Sequence, residues 1–507
     1  MNDQSVDVAV LGAGFGGSLM AAVLSRCGLT TALIDNASHP RFAIGESSTP
    51  IANLVLGDLA RKYDLPDLIP LTKYGSWQAT HPELVCGIKR GFSYFKHEPH
   101  REFQPNERHG NQLLVAASSD DQHSDTHWLR SDVDTFFVKQ AEKAGVAYFD
   151  TTEVELAQDG LGWTLHGTRD TEELRISAKF VIDASGAAGV VPRHLGLDTG
   201  TNAIRTRSRA IYAHFEGVLP FDDLLNATNI GTQAHPFCCD NAAQHHIVDD
   251  AWMWLLRFNN GLTSAGLVLD ESKHPFDESS PHDEWDRVLT RYPTLGRLFA
   301  NAKIVDPNSG FVRTSRLQRR IRQLAGANWA LLPNTAGFID PLHSTGIAHT
   351  LCGVERLASV LSKHWDQPRL KDQLQSFETS ISEELSLIDD LVFGCFQSFQ
   401  HFRLFTAFSM LYFAAATTYE RRRLHRPDGA TSAFLCAGDP SFRQAVSTTL
   451  GELQRVTRQP SVSPDDAQTF EEFVAAAIAP FNSAGLCDPS VRNMYRYTAL
   501  PVSESQS

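Results

Sequence analysis

Val6 to Leu11 form a short apolar run, the turn Gly12-Ala13-Gly14-Phe15-Gly16-Gly17 follows, and Ser18 to Cys27 has the pattern of a helix. Strand, glycine turn and helix in that order bring a helix N-terminus, with its unpaired N–H groups, to where a pyrophosphate would sit. A second apolar run, Thr31 to Ile34, leads into Asp35, an acid spaced to bind ribose hydroxyls. The strand-to-turn pattern recurs at Val181-Ile182-Asp183-Ala184-Ser185-Gly186 and at Leu331 to Pro341. Segments so far apart predict a discontinuous nucleotide domain with other material inserted between its strands.

The intervening chain alternates with a period of two. Val154 to Ala157, Trp163 to Gly167, Leu174 to Ala178, Ala210 to Gly217 and Ser264 to Asp270 predict a mostly antiparallel sheet beside the nucleotide domain. In the run Trp252 to Phe258, that period places Trp252, Trp254, Leu256 and Phe258 on one face and Met253, Leu255 and Arg257 on the other. From about Gln373 the pattern turns helical. Phe393, Phe396, Phe399, Phe402, Phe405 and Phe408 recur every third residue, which advances about 60° per step around a helix, so they circle it instead of forming a stripe. Such a segment is either buried on changing sides or bent around an aromatic pocket. Core packing accounts for most of these rings, and Phe399 and Phe402 are candidates for touching a substrate. Arg421-Arg422-Arg423 reads as a solvated charge run, and Ser463-Pro464-Asp465-Asp466 as the start of a helix reaching about Ile478. Ser503 to Ser507 is expected to fray.

Composition narrows the class. The chain has 507 residues, 42% apolar and 21% charged, enough for a sizeable core. Its formal net charge of −14 argues against nonspecific binding to nucleic acid or anionic membrane. Eight cysteines are too sparse for a disulfide framework, and the one close pair, Cys238 and Cys239, lacks metal-ligand spacing, so a reducing cytoplasm and no metal site are expected. The first residues lack the basic region of a signal peptide, and the longest apolar stretch, Leu404 to Ala416, is too short to span a bilayer.

Several motifs carry chemistry. Gly45-Glu46-Ser47-Ser48-Thr49-Pro50 follows the second strand, Lys89 lies in Cys86-Gly87-Ile88-Lys89-Arg90-Gly91-Phe92, and Asp340-Pro341-Leu342-His343-Ser344-Thr345-Gly346 closes the nucleotide domain. In this order they resemble the flavin-dependent halogenases, closest to the branch acting on phenolic compounds. The resemblance runs from about residue 5 to about 360. It implies FAD held by Gly12, Gly14, Phe15, Gly17, Asp35, Glu46, Ser47, Arg130, Asp340 and Gly346, with the reduced flavin supplied by a separate flavin reductase. It implies chloride or bromide at the turn Ser344, Thr345 and Gly346, oxidised to a hypohalous acid that travels past Trp252 and Trp254 to Lys89. His343 stands where tryptophan halogenases carry a glutamate, and it is a candidate for orienting the oxidant or taking the ring proton. Two departures stand out. Pro333-Asn334 replaces the usual Gly-Asp, and Leu256-Arg257 replaces the Ile-Pro that ends the Trp-x-Trp-x-Ile-Pro signature.

The expected architecture is α/β. A discontinuous Rossmann-like FAD-binding domain of the aromatic hydroxylase type spans residues 1–360, with a mostly antiparallel substrate-binding sheet inserted at about 60–130 and 190–325. A C-terminal helical region, 361–507, covers the substrate pocket. The expected activity is FAD-dependent halogenation of an electron-rich aromatic. The alternatives are a flavin monooxygenase or dehydrogenase on the same scaffold, or a flavoprotein with a maturation or scaffolding role.

Overall fold

Strand Asn2–Leu11 lies inside a seven-stranded sheet ordered Ala147–Phe149, Thr31–Ile34, Asn2–Leu11, Glu172–Asp183, Gly162–Arg169 and Glu153–Asp159, with Trp329–Leu331 paired to the end of Glu172–Asp183. The computed structural model describes residues 2–160, 162–169, 172–425 and 433–498, so the tail Ser503–Ser507 lies outside the described residues. Leu11 pairs in parallel with Ile34 on one side and Asp183 on the other, and Asp183 pairs with Leu331. The three glycine- or small-residue turns therefore leave the sheet at one edge, beyond the carboxyl ends of parallel strands, where open α/β sheets bind ligands. Helix Phe15–Arg26 starts there and packs on helices Arg130–Lys143 and Thr345–His364.

Three of the strands read from the sequence belong elsewhere than expected. Val154–Ala157, Trp163–Gly167 and Leu174–Ala178 form an antiparallel meander inside the nucleotide sheet. The cause is the length of strand Glu172–Asp183: its first half pairs antiparallel with Gly162–Arg169 while its second half pairs parallel with Trp329–Leu331. Alternation reports that a strand is half-buried, not which sheet it joins.

The second sheet has nine strands and contains Ser208–Glu216, Thr263–Asp270, Ala251–Arg257, Ala243–Ile247, Gly91–Lys96 and Gln112–Ala116 as successive neighbours. It is antiparallel apart from two parallel pairings, Ala243–Ile247 with Gly91–Lys96 and Gln112–Ala116 with Met494–Tyr495. On Ala251–Arg257, Trp252, Trp254 and Leu256 pack into the core shared with the nucleotide sheet, and Met253 and Leu255 pack into a separate core behind it. The two-faced reading of this strand holds.

The C-terminal region is helical apart from the short strand Met494–Tyr495. The phenylalanine run is two helices, Leu370–Ser398 and Phe402–His425, with Phe399 at the bend between them. At the bend Ser398 Oγ donates to Gly394 O and Cys395 O, at 3.0 and 2.9 Å, a side-chain bond that competes with helix continuation. Phe399, Phe405 and Phe408 are fully buried, each side chain stabilising by roughly 2–3 kcal/mol. The charge run is not wholly solvated. Arg423 is buried and donates to Glu355 at 2.6 and 2.9 Å and to Asp58 at 2.8 and 3.0 Å, tying its helix to Thr345–His364 and Pro50–Lys62. Helix Pro464–Ile478 starts at Ser463 with a reciprocal capping box to Asp466. Among the described residues, no helix is long and apolar enough to cross a membrane.

Candidate active site

A cleft of about 540 Å³ runs from the glycine turn to the N-terminus of helix Thr345–His364. Gly14, Phe15 and Gly17 line its nucleotide end, Glu46, Ser47 and Arg130 its flank, Trp252 and Trp254 its far wall, and Asp340, Ser344 and Gly346 its floor. Gly17 is required there because a Cβ would lie 1.9 Å from the carbonyl oxygen of Gly12. The dimensions and the open helix N-terminus fit a dinucleotide.

Some predicted cofactor residues are already engaged. Asp35 accepts from Arg41 at 2.5 and 2.7 Å and from the N–H of Ala13 at 2.6 Å. Burial alone would raise its pKa, but these donors hold it below the usual value. Asp35 thus braces the turn and does not line the cleft, nor does Gly12, whose φ of +101° lets the turn close against Ala184. Arg130 stacks over Phe15 at 4.8 Å, and its fork is held by Asp134 and by Ile44 O. Glu46 Oε1 lies 2.7 Å from His214 Nε2, and the carboxylate outweighs burial to raise the histidine's pKa. Asp340 accepts from Ser208 Oγ at 2.8 Å and from the N–H of Leu342 at 3.1 Å, and burial nevertheless pushes it up to about 7.

Residues not anticipated complete the cleft. Arg316 and Arg319 line it without a carboxylate partner among the described residues. Arg319 donates to the carbonyl and the side-chain oxygen of Asn334, its Nε has no partner among the described residues, and burial lowers its pKa to about 10. Uncompensated guanidinium charge suits an anionic cofactor. The available signal was the run Arg313 to Arg322, with five arginines in ten residues. Asn334, which replaces the usual Asp, is the residue that holds Arg319.

At the turn, Ser344 adopts left-handed backbone, φ 51° and ψ 35°, and its Oγ donates to Ser47 Oγ at 3.1 Å. Thr345 begins the helix and is buried, and a Cβ on Gly346 would meet nothing within 4 Å, so that residue faces open cleft. His343 turns away from the cleft. It stacks on Tyr412 with centroids 4.4 Å apart, and its Nε2 is 3.5 Å from Cys395 Sγ. Burial lowers its pKa to about 3, so the ring is neutral, and its Nδ1 has no hydrogen-bond partner among the described residues.

Lys89 ends strand Cys86–Lys89 and is completely buried opposite Asp125, its partner on strand Asp125–Trp128. Its Nζ donates to Ser48 O at 2.6 Å and sits 4.1 Å from the centroid of Phe92. Burial drives its pKa far below the lysine range while Asp125 pulls it back, and burial raises Asp125 in turn. The amine does not open on the cleft. Ser47 and His245 line the cleft side of the partition, and Ser48, Tyr94 and Phe92 stand on the lysine side, with Tyr94 stacked on His245 at 4.4 Å. The Tyr94 hydroxyl and the Nδ1 atoms of His127 and His343 are buried without a hydrogen-bond partner among the described residues. Burial lowers His127 and His245 to about 3, so all three imidazoles are neutral. Phe399 and Phe402 do not line the cleft: both pack on Phe405, which meets Tyr94 at 5.4 Å. Arg257 lies away from the cleft, donating to Asp240 at 2.7 Å.

A family model described as tryptophan halogenase matches residues 123–401. The chain belongs to the tryptophan halogenase family. This halogenase is 29% identical over 528 residues to the monodechloroaminopyrrolnitrin halogenase PrnC of Pseudomonas fluorescens, covering 98% of this chain and 90% of that one. It is 28% identical to the tetracycline 7-halogenase of Kitasatospora aureofaciens, covering 88% of this chain and 78% of the relative. Its fold matches the crystal structure of halogenase PltM in complex with phloroglucinol and FAD, with a TM-score of 0.86, 23% identity and coverage of 98% and 100%. Flavin-dependent brominase Bmp2 matches at a TM-score of 0.64 and 18% identity, covering 89% and 100%. The halogenase is therefore a flavin-dependent oxidoreductase that uses FAD and a halide.

A separate trio, Asp222, His235 and Cys239, brings three possible ligand atoms within 4.8 Å of one another away from the cleft, a grouping the cysteine spacing did not reveal.

Proposed function

We propose that this halogenase installs chlorine or bromine on an electron-rich phenolic ring, with Lys89 handing the halogen to the substrate. The observation that carries this reading is the setting of Lys89: a fully buried amine whose carbonyl acceptor, Ser48, adjoins Ser47 of the cleft wall, with buried polar atoms nearby that have no partner among the described residues. Unpaired polar groups are costly in an apolar interior, and here they mark a path for a small polar oxidant. Reduced FAD with O₂ supplies the oxidation that turns halide into hypohalous acid. Gly14, Phe15, Gly17, Glu46, Ser47, Arg130, Asp340 and Gly346 hold the cofactor, joined by Arg316 and Arg319, while Gly12 and Asp35 shape the turn beneath it. The N–H groups of Thr345 and Gly346, at a helix N-terminus, receive the halide beside Ser344.

Lys89 then has two ways to act. Its ammonium hydrogen-bonds the hypohalous acid, and its neutral amine, favoured by burial, can carry the halogen itself. His343, neutral and stacked on Tyr412, orients the oxidant through a ring nitrogen. Trp252 and Trp254 keep the aromatic substrate out of the cleft, and the C-terminal helices, with Phe399 and Phe402 in their packing, close the pocket. PltM, the structural neighbour bound to phloroglucinol, supports a phenolic substrate. No second nucleotide fingerprint follows Asp35, which supports delivery of reduced flavin by a separate flavin reductase. The test is to supply FAD, a flavin reductase, NADH and bromide with a panel of phenols and indoles, and to weigh the products. Bromine incorporation into phenols is expected; gain of oxygen, or turnover without halide, overturns the reading.

A further inference from the structure

On the side of Phe92 facing the C-terminal helices lies a narrow crevice, about 20 Å³, lined by Thr49, Phe92, Tyr412, Phe413, Thr417 and Glu420. The rings of Tyr412 and Phe413 meet Phe92 edge-on at 5.9 and 5.6 Å, so the crevice is an aromatic slot that widens to hold a guest only when these rings shift. Glu420, on helix Phe402–His425, is 5% exposed, and its carboxyl has no hydrogen bond or ion pair among the described residues. A buried carboxyl without a partner is expensive, and the chain pairs such a group close by, where Arg423, less than one turn along the same helix, holds Glu355. Glu420 instead faces a slot whose opposite wall, Phe92, carries the Lys89 amine at 4.1 Å.

Resting on the halogenation reading above, we propose that Glu420 binds the hydroxyl of the aromatic acceptor and takes its proton as the halogen is transferred. As the halogen–oxygen bond of the hypohalous acid breaks and the carbon–halogen bond forms, the phenol O–H proton passes to the Glu420 carboxylate. The released hydroxide takes the ring proton and leaves as water, and the proton on Glu420 returns to the oxygen as the ring regains aromaticity. Acceptor and hypohalous acid thus give halogenated phenol and water. The surrounding charges suit the role. Burial first, and then the Asp125 carboxylate, raise Glu420 to about 8, with Lys73 working the other way. Glu420 in turn adds to the raised pKa values of Tyr412, on the same helix, and of Tyr497, in both of which burial is the larger cause. A carboxylate of raised basicity is better matched to a phenol than an ordinary one.

The test compares phloroglucinol with 1,3,5-trimethoxybenzene, whose ring is also activated but offers no O–H. The wild type, with FAD, flavin reductase, NADH and bromide, is expected to prefer phloroglucinol by about 100-fold or more in kcat/KM, because a carboxyl left facing an ether loses its bond. Glu420→Ala is expected to narrow that preference to within about tenfold, and Glu420→Gln to keep KM while kcat falls by about 10²-fold. Flavin absorbance confirms that the variants hold FAD. Equal use of both rings by the wild type overturns the proposal without any variant, as does wild-type kcat and discrimination in either substitution. Absence of halogenated product from every aromatic with the wild type would instead overturn the halogenation reading itself.

Discussion

Replacing the buried pair by Lys89→Met together with Asp125→Asn separates a functional amine from a structural one. Lys89 is fully buried, and Asp125 is 1% exposed and, among the described residues, accepts a side-chain hydrogen bond from Asn53 alone, at 2.5 Å. Neutralising a lysine at pH 7 costs at most about 1.4 kcal/mol for each of the roughly 3.4 units below its free pKa, about 4.6 kcal/mol, and neutralising an aspartic acid about 4.2 kcal/mol. The bond to Ser48 O, the Phe92 contact and the mutual attraction of the two groups offset much of this. A buried pair replaced by uncharged residues of similar volume usually leaves a gain, so the double variant is expected to be more stable than the wild type by about 1–4 kcal/mol at pH 7. Lys89 has a lowered folded pKa, so the unfolded chain binds more protons and wild-type stability climbs with pH until the free lysine titrates. The advantage of the double variant therefore shrinks between about pH 7 and pH 10, by up to about 1.4 kcal/mol per unit. Equilibrium urea unfolding across that range reads both effects, and a halogenation assay at the same time should find no product. Destabilisation by more than about 1 kcal/mol would show that the pair braces the fold, and would remove the reason for assigning the amine to chemistry.

Gly266→Ala would place a Cβ 2.0 Å from the Trp254 ring. The indole must then move into the cleft, and loss of about 1–3 kcal/mol of stability with reduced retention of FAD on gel filtration is expected; unchanged flavin absorbance would show that Trp254 does not bound the cofactor. Ser463→Ala removes the capping box of helix Pro464–Ile478 and should lower the unfolding free energy measured in urea by about 1 kcal/mol while leaving halogenation alone, because the helix does not line the cleft.

The parts of the fold legible in the sequence are those set by local rules. The turn Gly12 to Gly17 was readable because its glycines answer a contact within the same turn, and the Ser463 cap because its partner lies three residues on. The two faces of Ala251–Arg257 followed from the period of a strand. What escaped depends on partners distant in sequence. Asp35 has the spacing of a ribose ligand, but Arg41 takes it. Arg423 looked solvated within its run of three arginines until Glu355 and Asp58 closed on it. Glu420 and Asp125 carry no motif; only the folded chain, which brings residues 295 positions apart near one another, lets their charges interact. The bend at Phe399 was open as one of two readings, since a spacing of three excludes a single stripe without saying where the helix turns.

The role of the Lys89 amine is measured by a side-by-side assay of wild type and Lys89→Met with FAD, flavin reductase, NADH, bromide and phloroglucinol, recording oxygen consumption and product mass. The expected result is brominated phloroglucinol from the wild type, and from the variant retained FAD and continued oxygen consumption with no brominated ring. Brominated product from Lys89→Met at the wild-type rate would contradict the account.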